Sequence, residues 1–218
     1  MMNTDRPTGA AASELVQRMG EAANAFLAAL STDQRAQAQL DFADEAERTT
    51  WYYTPTPRRG LPLKEMDRRQ QRLAQKLIMT GLSQPGWVTA GVIMGLETTL
   101  DGIEGWTTAE WWRDVQLYFV TIFGQPDGKR PWGWRFEGHH ISLNYTLVDG
   151  QIVAPTPTFF GANRAEAPLI GGHLLRPLAG IEDPARELMH SLSPEQSAKA
   201  LLTRVAPPDF AMLNRPFV

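Results

Sequence analysis

The stretch Trp132–Leu147, WGWRFEGHHISLNYTL, alternates large apolar residues with polar ones. This period of two is typical of β-strands that bury one face. It predicts two strands, 132–137 and 139–147, with Gly138 between them as a position for a β-bulge. A core of aromatic side chains on one face and polar side chains on the other follows from the alternation.

Strand patterns continue on both sides of this stretch, at 116–123 and 151–159. Asp149-Gly150 is a hairpin turn signal, because both residue types accept a positive φ. The sequence therefore predicts a small, mostly antiparallel sheet, a meander of three or four strands.

Helical patterns precede and follow the strands. Helices are predicted at 13–30, at 64–82 and at 87–103. Two more are predicted to follow the capping boxes Ser31–Gln34 and Thr107–Glu110. In the C-terminal part, helices are predicted to begin at Asp183-Pro184 and at Ser193-Pro194. Separate runs of helices and strands indicate an α+β fold with helices packed on one sheet. We predict a disordered tail at 1–10 and a single domain over 11–218.

Composition excludes several kinds of site. The 218-residue chain has no cysteine, so it forms no disulfide and no thiolate metal site. Its net charge of −3, with no clustered basic stretch, gives no reason to expect nucleic acid. No apolar run reaches the ~18 residues of a membrane span, and no signal-peptide pattern opens the chain. We expect a cytoplasmic protein that binds no nucleic acid and no membrane, with no indication of oligomeric state.

The ionisable residues of the central stretch are the best candidates for a site. On regular strands Arg135, Glu137 and His139 would share one face, while His140 would point to the other with Ser142 and Asn144. In one interpretation, Glu137 and the two histidines bind a divalent metal ion such as zinc, iron or manganese. Candidates for a further ligand are Glu97, Glu104 and His173. No other cofactor is implied.

A second interpretation needs no metal. A histidine acts as general base, Glu137 orients it, and Arg135 is an electrostatic clamp for the substrate. In a third interpretation, Arg135 and Glu137 form a structural ion pair and the histidines bond to nearby backbone. This interpretation stays open because clusters of ionisable groups mark functional sites only part of the time.

Glu97 lies on an apolar helical stripe with Ile93, Met94 and Leu100. A carboxylate in such a position needs a partner or loses its charge. Either Glu97 points into a site, toward a histidine or arginine of the sheet, or it forms a buried structural bridge with Arg135 or Arg48. Buried charges are usually paired, which favours the bridge.

Several further residues are candidates to bind a small-molecule substrate: Trp134, Asn144, Thr156, Thr158 and Asn163. The aromatic ring of Trp134 can stack on a ligand, although core packing is its commoner role. Thr156, Thr158 and Asn163 lie in a Pro-rich strand exit, which more often serves as a rigid turn.

The strings WGWRFEGHHISLNYTLVDG and TPTFFGAN resemble a bacterial family known as domain of unknown function 3500. The resemblance extends to the Trp51–Leu61 loop, to GLSQPGW and MGLE around Glu97, and to the stretch from Pro184 to Gln196. It implies one family-like domain over most of 45–205 and supplies no reaction. It also implies a shortened C-terminus, and it sets this chain apart from relatives with export signals.

Two functions follow as hypotheses. The first is a hydrolase-like or metal-dependent enzyme whose pocket lies on the sheet around Glu137, His139 and His140. The alternative is a non-catalytic module that binds a small molecule or a protein through Trp132, Trp134 and the Thr-Pro loop.

Overall fold

The computed structural model describes residues 9–106, 113–169, 172–210 and 212–215. Within these ranges the helices are α1 Gly9–Ala28, α2 Thr32–Ala38, α3 Glu45–Thr49, α4 Arg68–Thr80, α5 Gln84–Ile103, α6 Ala179–Ser191 and α7 Pro194–Ala200. The strands are β1 Gln39–Leu40, β2 Leu61–Pro62, β3 Phe119–Gly124, β4 Trp132–Gly138, β5 Ile141–Val148, β6 Gln151–Ala154, β7 Thr158–Phe160, β8 Ala167–Pro168 and β9 Leu174–Leu175. The α+β fold is confirmed.

The sheet is larger than predicted, and it is mixed. Among the described residues, seven strands form it in the order β1-β3-β4-β5-β6, with β2 also paired to β3 and β7 to β5. Strands β3, β4 and β5 form the predicted antiparallel centre, but β1 runs parallel to β3. The prediction of a small antiparallel meander was therefore wrong. The additional strands β1, β2 and β7 have only two or three residues each, too few to show a period in the sequence.

Several predicted boundaries moved. Helix α1 begins at Gly9, so the predicted tail is at most 1–8, which lies outside the described residues. Helix α5 begins at Gln84 because Ser83 caps it. Helix α6 begins at Ala179 and carries Pro184 inside it, so the predicted start at Asp183-Pro184 was wrong. The Thr107–Glu110 capping box also falls outside the described residues.

Helices cover one face of the sheet. Trp132, Trp134 and Phe136 of β4 point to this face and are at most 3% exposed. They pack in one core with Met19 and Phe26 of α1 and with residues of α4 and α5. The apolar residues at alternate positions of β4 therefore lie in the core, as the sequence predicts.

The opposite face of the sheet is polar and also buried. Its buried polar residues are Thr121, Arg135, Glu137, Ser142 and Asn144. Segment 47–59 lies over this face, where it contacts Arg135, Glu137 and Thr121. Since Glu137 pairs directly with Ser142 and Arg135 with Asn144, all four share one side of the sheet. The prediction that Ser142 and Asn144 lie opposite Glu137 was wrong, because the two strands form a hairpin and not one continuous strand.

The C-terminal segment returns to the covering segment. Phe210 packs against the rings of Trp51, Tyr53 and Phe159. Asp209 accepts a hydrogen bond of 2.7 Å from the Tyr53 hydroxyl. Across the described ranges, none of the helices combines the length and apolarity needed to cross a bilayer.

Candidate functional site

His139 and His140 form the two-residue turn of the β4–β5 hairpin. Gly138 and Ile141 are the last paired residues on either side. His140 has φ 61°, a left-handed conformation that costs a non-glycine residue about 1–3 kcal/mol. The sequence had placed both histidines on a strand, where adjacent side chains diverge. In the turn their ring centroids lie 4.1 Å apart.

The main chain holds His140 in place. Its N–H donates to the Tyr53 carbonyl at 2.9 Å, and its carbonyl accepts from the Gly161 N–H at 2.8 Å. Burial lowers the pKa of His140 to about 4, with smaller contributions from the charges of His139 and Arg113. A Cβ atom on Gly161 would lie 3.0 Å from Nδ1 of His140, so the ring is closely packed. At neutral pH the His140 side chain is therefore an uncharged, partly buried ring within the turn.

His139 contacts the carboxylate of Glu97. Nδ1 of the ring touches Oε1 of Glu97, which lies on α5 and is 3% exposed. An ionised carboxylate only accepts hydrogen bonds, so the tautomer that fits this contact has its proton on Nδ1. Nη1 of Arg113, which can only donate, also lies 3.3 Å from Nδ1. The lone pair of the neutral ring is then on Nε2, for which we find no hydrogen-bond partner in the described ranges. The sequence had assigned this orienting role to Glu137.

Arg113 joins the same group from the segment that leads to β3. Its Nη1 lies 3.5 Å from Oε2 of Glu97, and its guanidinium binds both oxygens of Glu104, at 2.7 and 3.1 Å. Hydrogen bonding to Arg113 lowers the pKa of Glu104. The predicted bridges from Glu97 to Arg135 or Arg48 were wrong, since its partners are His139 and Arg113. The sequence analysis missed Arg113, which adjoins the tryptophan pair Trp111–Trp112.

His139 lines a cleft of about 330 Å³. The other lining residues are Pro55, Thr56, Pro57, Arg58, Pro62, Lys64, Glu65, Leu117 and Phe119. Arg58 was a possible anion-binding residue in the sequence, although a solvated loop was the favoured interpretation. None of the others was predicted as a site residue, because they come from a Pro-rich loop and a strand edge without a motif. Half of the lining residues are proline, leucine or phenylalanine, a composition typical of small-molecule sites.

Arg58 holds the loop that forms one wall of the cleft. Its guanidinium donates to the carbonyls of Tyr52, Thr54 and Thr56. Burial lowers its pKa, although Glu137, 3.7 Å away, acts in the opposite direction. Since the guanidinium already binds three main-chain carbonyls, Arg58 fixes the loop that forms one wall of the cleft.

Arg135 and Glu137 belong to a different cluster, on the polar face. Arg135 Nε lies 3.1 Å from Glu137 Oε1, and both side chains are 1% exposed. Glu137 Oε2 accepts from the Tyr52 N–H at 3.0 Å, and Arg135 binds Glu47. Burial raises the pKa of Glu137, and the charges of Arg135 and Arg58 oppose that rise. The pair ties segment 47–59 to the sheet, as the structural interpretation predicted.

The four predicted metal ligands do not all meet, because Glu137 lies in a separate cluster. Glu97 contacts His139, while Glu137 is held by Arg135 and the Tyr52 main chain. Among the described residues, no three histidine, aspartate or glutamate side chains converge in a geometry that could hold a metal ion. Of the further candidates, Glu104 binds Arg113 and His173 is exposed in the β8–β9 hairpin. The predicted arrangement of these ligands was wrong.

The residues predicted to bind substrate do not line the cleft of His139. Trp134 is 1% exposed and stacks on Tyr145 with ring centroids 4.5 Å apart. Asn144 is buried and donates to the Ser142 hydroxyl and the Pro157 carbonyl. The other three are exposed on the strand exit: Thr156, Thr158 and Asn163. Trp134 and Asn144 have the packing roles that were their alternatives.

A family model described as "Protein of unknown function (DUF3500)" matches residues 12–217. The chain belongs to this family. The DUF3500 match contains the histidine turn, Glu97, Arg113 and the whole cleft, so the resemblance of the central strings is confirmed. No curated protein and no solved structure matches the chain. The description of the DUF3500 family assigns no reaction, and the chemistry has to be argued from the geometry.

Proposed function

We propose that this chain is a hydrolase for a small molecule, in which His139 is the general base. One observation carries the proposal: His139 lines a cleft while a buried carboxylate, Glu97, holds its Nδ1. A carboxylate in this position selects the tautomer with a free lone pair on Nε2 and stabilises the imidazolium that forms when Nε2 takes a proton. We propose a cytoplasmic location as well.

The reaction would proceed through water. As the oxygen of a bound water forms a bond to the carbonyl carbon of an ester, Nε2 of His139 accepts the proton of that water. The tetrahedral intermediate then expels the leaving oxygen, the carbon–oxygen bond breaks, and Nε2 returns its proton to that oxygen. General base catalysis of this kind contributes about 10²–10⁴ in rate. The positive charge of Arg113 lies 3.5 Å from Glu97 and offsets the charge of this buried carboxylate.

Hydrolysis of 4-nitrophenyl esters of short fatty acids tests the proposal. We expect His139→Gln to lower kcat/KM by about a hundredfold or more. The matched control is His190→Gln, since His190 is exposed on α6, away from the cleft. Circular dichroism and thermal melting check that both variants fold.

Three results would count against the proposal. Equal kcat/KM in wild type and His139→Gln would show that His139 is not the base. Ligand binding without His139-dependent turnover would favour the binding module, which would have to use this cleft because Trp132 and Trp134 are buried. Stoichiometric zinc, iron or manganese in untagged protein, with loss of turnover on its removal, would favour a metal-dependent enzyme.

A further inference from the structure

Among the described residues, the cleft has one cationic side chain without a protein partner. Lys64 is exposed and lines the cleft, and within the described residues its ammonium group makes no ion pair or hydrogen bond. Arg58 also lines the cleft, but its guanidinium already binds three carbonyls. Lys64 is therefore the cation that is available to a ligand.

The main chain of Lys64 is fixed. It lies in a single 3-10 turn, Leu63–Glu65, directly after β2. Its N–H donates to the Gln116 carbonyl at 3.2 Å, and the preceding N–H of Leu63 donates to the Tyr118 carbonyl at 2.9 Å. These contacts dock the turn beside the first residues of β3, so only the side chain of Lys64 has to be ordered when a ligand binds.

The lining residues carry charges of both signs. Arg58 and Lys64 are cations and Glu65 is the one carboxylate among them, while Glu137, 3.7 Å from Arg58, offsets the charge of that guanidinium. The ammonium group of Lys64 is therefore the positive charge that a ligand can reach. The rest of the wall is apolar and stiff, with Pro55, Pro57 and Pro62 beside Leu117 and Phe119.

We propose that the substrate is a compact, largely apolar ester that carries a carboxylate, and that Lys64 binds this carboxylate. The inference rests on the proposed function, since it names the substrate class of the same cleft. The volume of about 330 Å³ is at the small end of ligand pockets, which fits a small molecule better than a long chain. Lys64 is a specificity-determining residue in this assignment, and His139 remains the base.

Three 4-nitrophenyl esters with the same three methylene groups test the inference: the pentanoate ends in a methyl group, the glutarate monoester in a carboxylate, and the 4-aminobutanoate in an ammonium. We expect wild type to hydrolyse the glutarate monoester with a kcat/KM about two- to fivefold above that of the pentanoate, the range of an exposed ion pair. Lys64→Met should remove this preference, so that the glutarate monoester and the pentanoate are hydrolysed with about equal kcat/KM. Glu65→Gln is the matched control and should keep the preference.

The outcomes separate the two proposals. Turnover that depends on His139 but is equal for the first two esters, or a preference for the 4-aminobutanoate that Glu65→Gln abolishes, overturns the role of Lys64 and leaves the hydrolase intact. If no ester is turned over through His139, the hydrolase fails. Binding of monomethyl glutarate, followed by NMR titration, then decides the inference. Binding that is weakened by Lys64→Met supports it, and the absence of such weakening overturns it.

Discussion

Nδ1 of His139 contacts Oε1 of Glu97, a residue 42 positions earlier in the chain. The contact joins the turn at the end of β4 to the apolar helix α5, and both partners are nearly buried. A buried carboxylate is costly unless it has partners, and here His139 contacts Oε1 while Arg113 forms an ion pair with Oε2 at 3.5 Å. The contact therefore gives Glu97 a partner in an apolar stripe and gives His139 a fixed orientation.

Glu97→Gln should keep the shape of this contact and remove its charge. We expect kcat on 4-nitrophenyl pentanoate to fall about 10- to 100-fold, as for other residues that orient a functional histidine, with KM changed less than twofold. Steady-state kinetics separate the two parameters. The control is Glu187→Gln, an exposed residue of α6. A loss confined to KM would mean that Glu97 acts on substrate binding instead.

His140 should make the protein sensitive to mild acid. Its folded pKa is about 4, below the value near 6.5 of an unfolded histidine. Between these values the unfolded chain binds more protons, so the free energy of unfolding falls as the pH falls through this window. Because the ring is partly accessible, we expect the loss to be about 2 kcal/mol in total.

His140→Asn tests this assignment, since asparagine also accepts a left-handed conformation. Urea unfolding at pH 7.5, 5.5 and 4.2 should show the free energy of wild type falling relative to that of the variant by about 2 kcal/mol. Curves that stay parallel across the three pH values would place the titration elsewhere.

Glu137→Gln should destabilise the protein without changing the reaction. The substitution leaves the buried guanidinium of Arg135 without the carboxylate 3.1 Å away. We expect the free energy of unfolding to drop by about 3–5 kcal/mol, and kcat of the folded fraction to stay near that of wild type. Glu166→Gln, in an exposed ion pair with Arg176, should cost at most about 1 kcal/mol. Loss of kcat at full stability would instead place Glu137 in the catalytic site.

Gly138→Ala should displace the histidine turn. A Cβ atom at this position would lie 2.3 Å from Cδ1 of Tyr118, whose hydroxyl donates to the His139 carbonyl at 2.9 Å. We expect a loss of about 1–3 kcal/mol in unfolding free energy, together with lower kcat. Gly91→Ala is the control: that position has open space around it in α5 and should gain about 0.5–1 kcal/mol. Similar stability of the two variants would contradict the tight packing at Gly138.

The sequence predicted the sheet centre because Trp132, Trp134 and Phe136 alternate with small or polar residues in β4. It could not predict the histidine turn. Two-residue turns are usually recognised by glycine or asparagine, and a His-His pair carries no such signal. Because the turn was not predicted, the pairing register of β4 and β5 was not predicted either. The error about which residues share a face with Glu137 has the same cause.

The candidate site was predictable only in part. Glu97 was recognisable because a carboxylate is conspicuous on an apolar helix, and a histidine of the sheet was one of its expected partners. Which histidine it contacts was not predictable, since contacts 42 residues apart leave no local pattern. Arg113 and Lys64 look like ordinary surface cations in the sequence. Their roles depend on the packing of the chain around β3, which no short-range periodicity encodes.

The contacts of Arg58 with the carbonyls of Tyr52, Thr54 and Thr56 have a kinetic consequence. A loop that is already bonded in this way does not have to close over an arriving molecule, so little conformational entropy is lost on association. Entry should therefore be a single fast step limited by encounter, with no slower isomerisation phase in stopped-flow traces. Residence time in the cleft would then be set by how quickly the contacts to the bound molecule break.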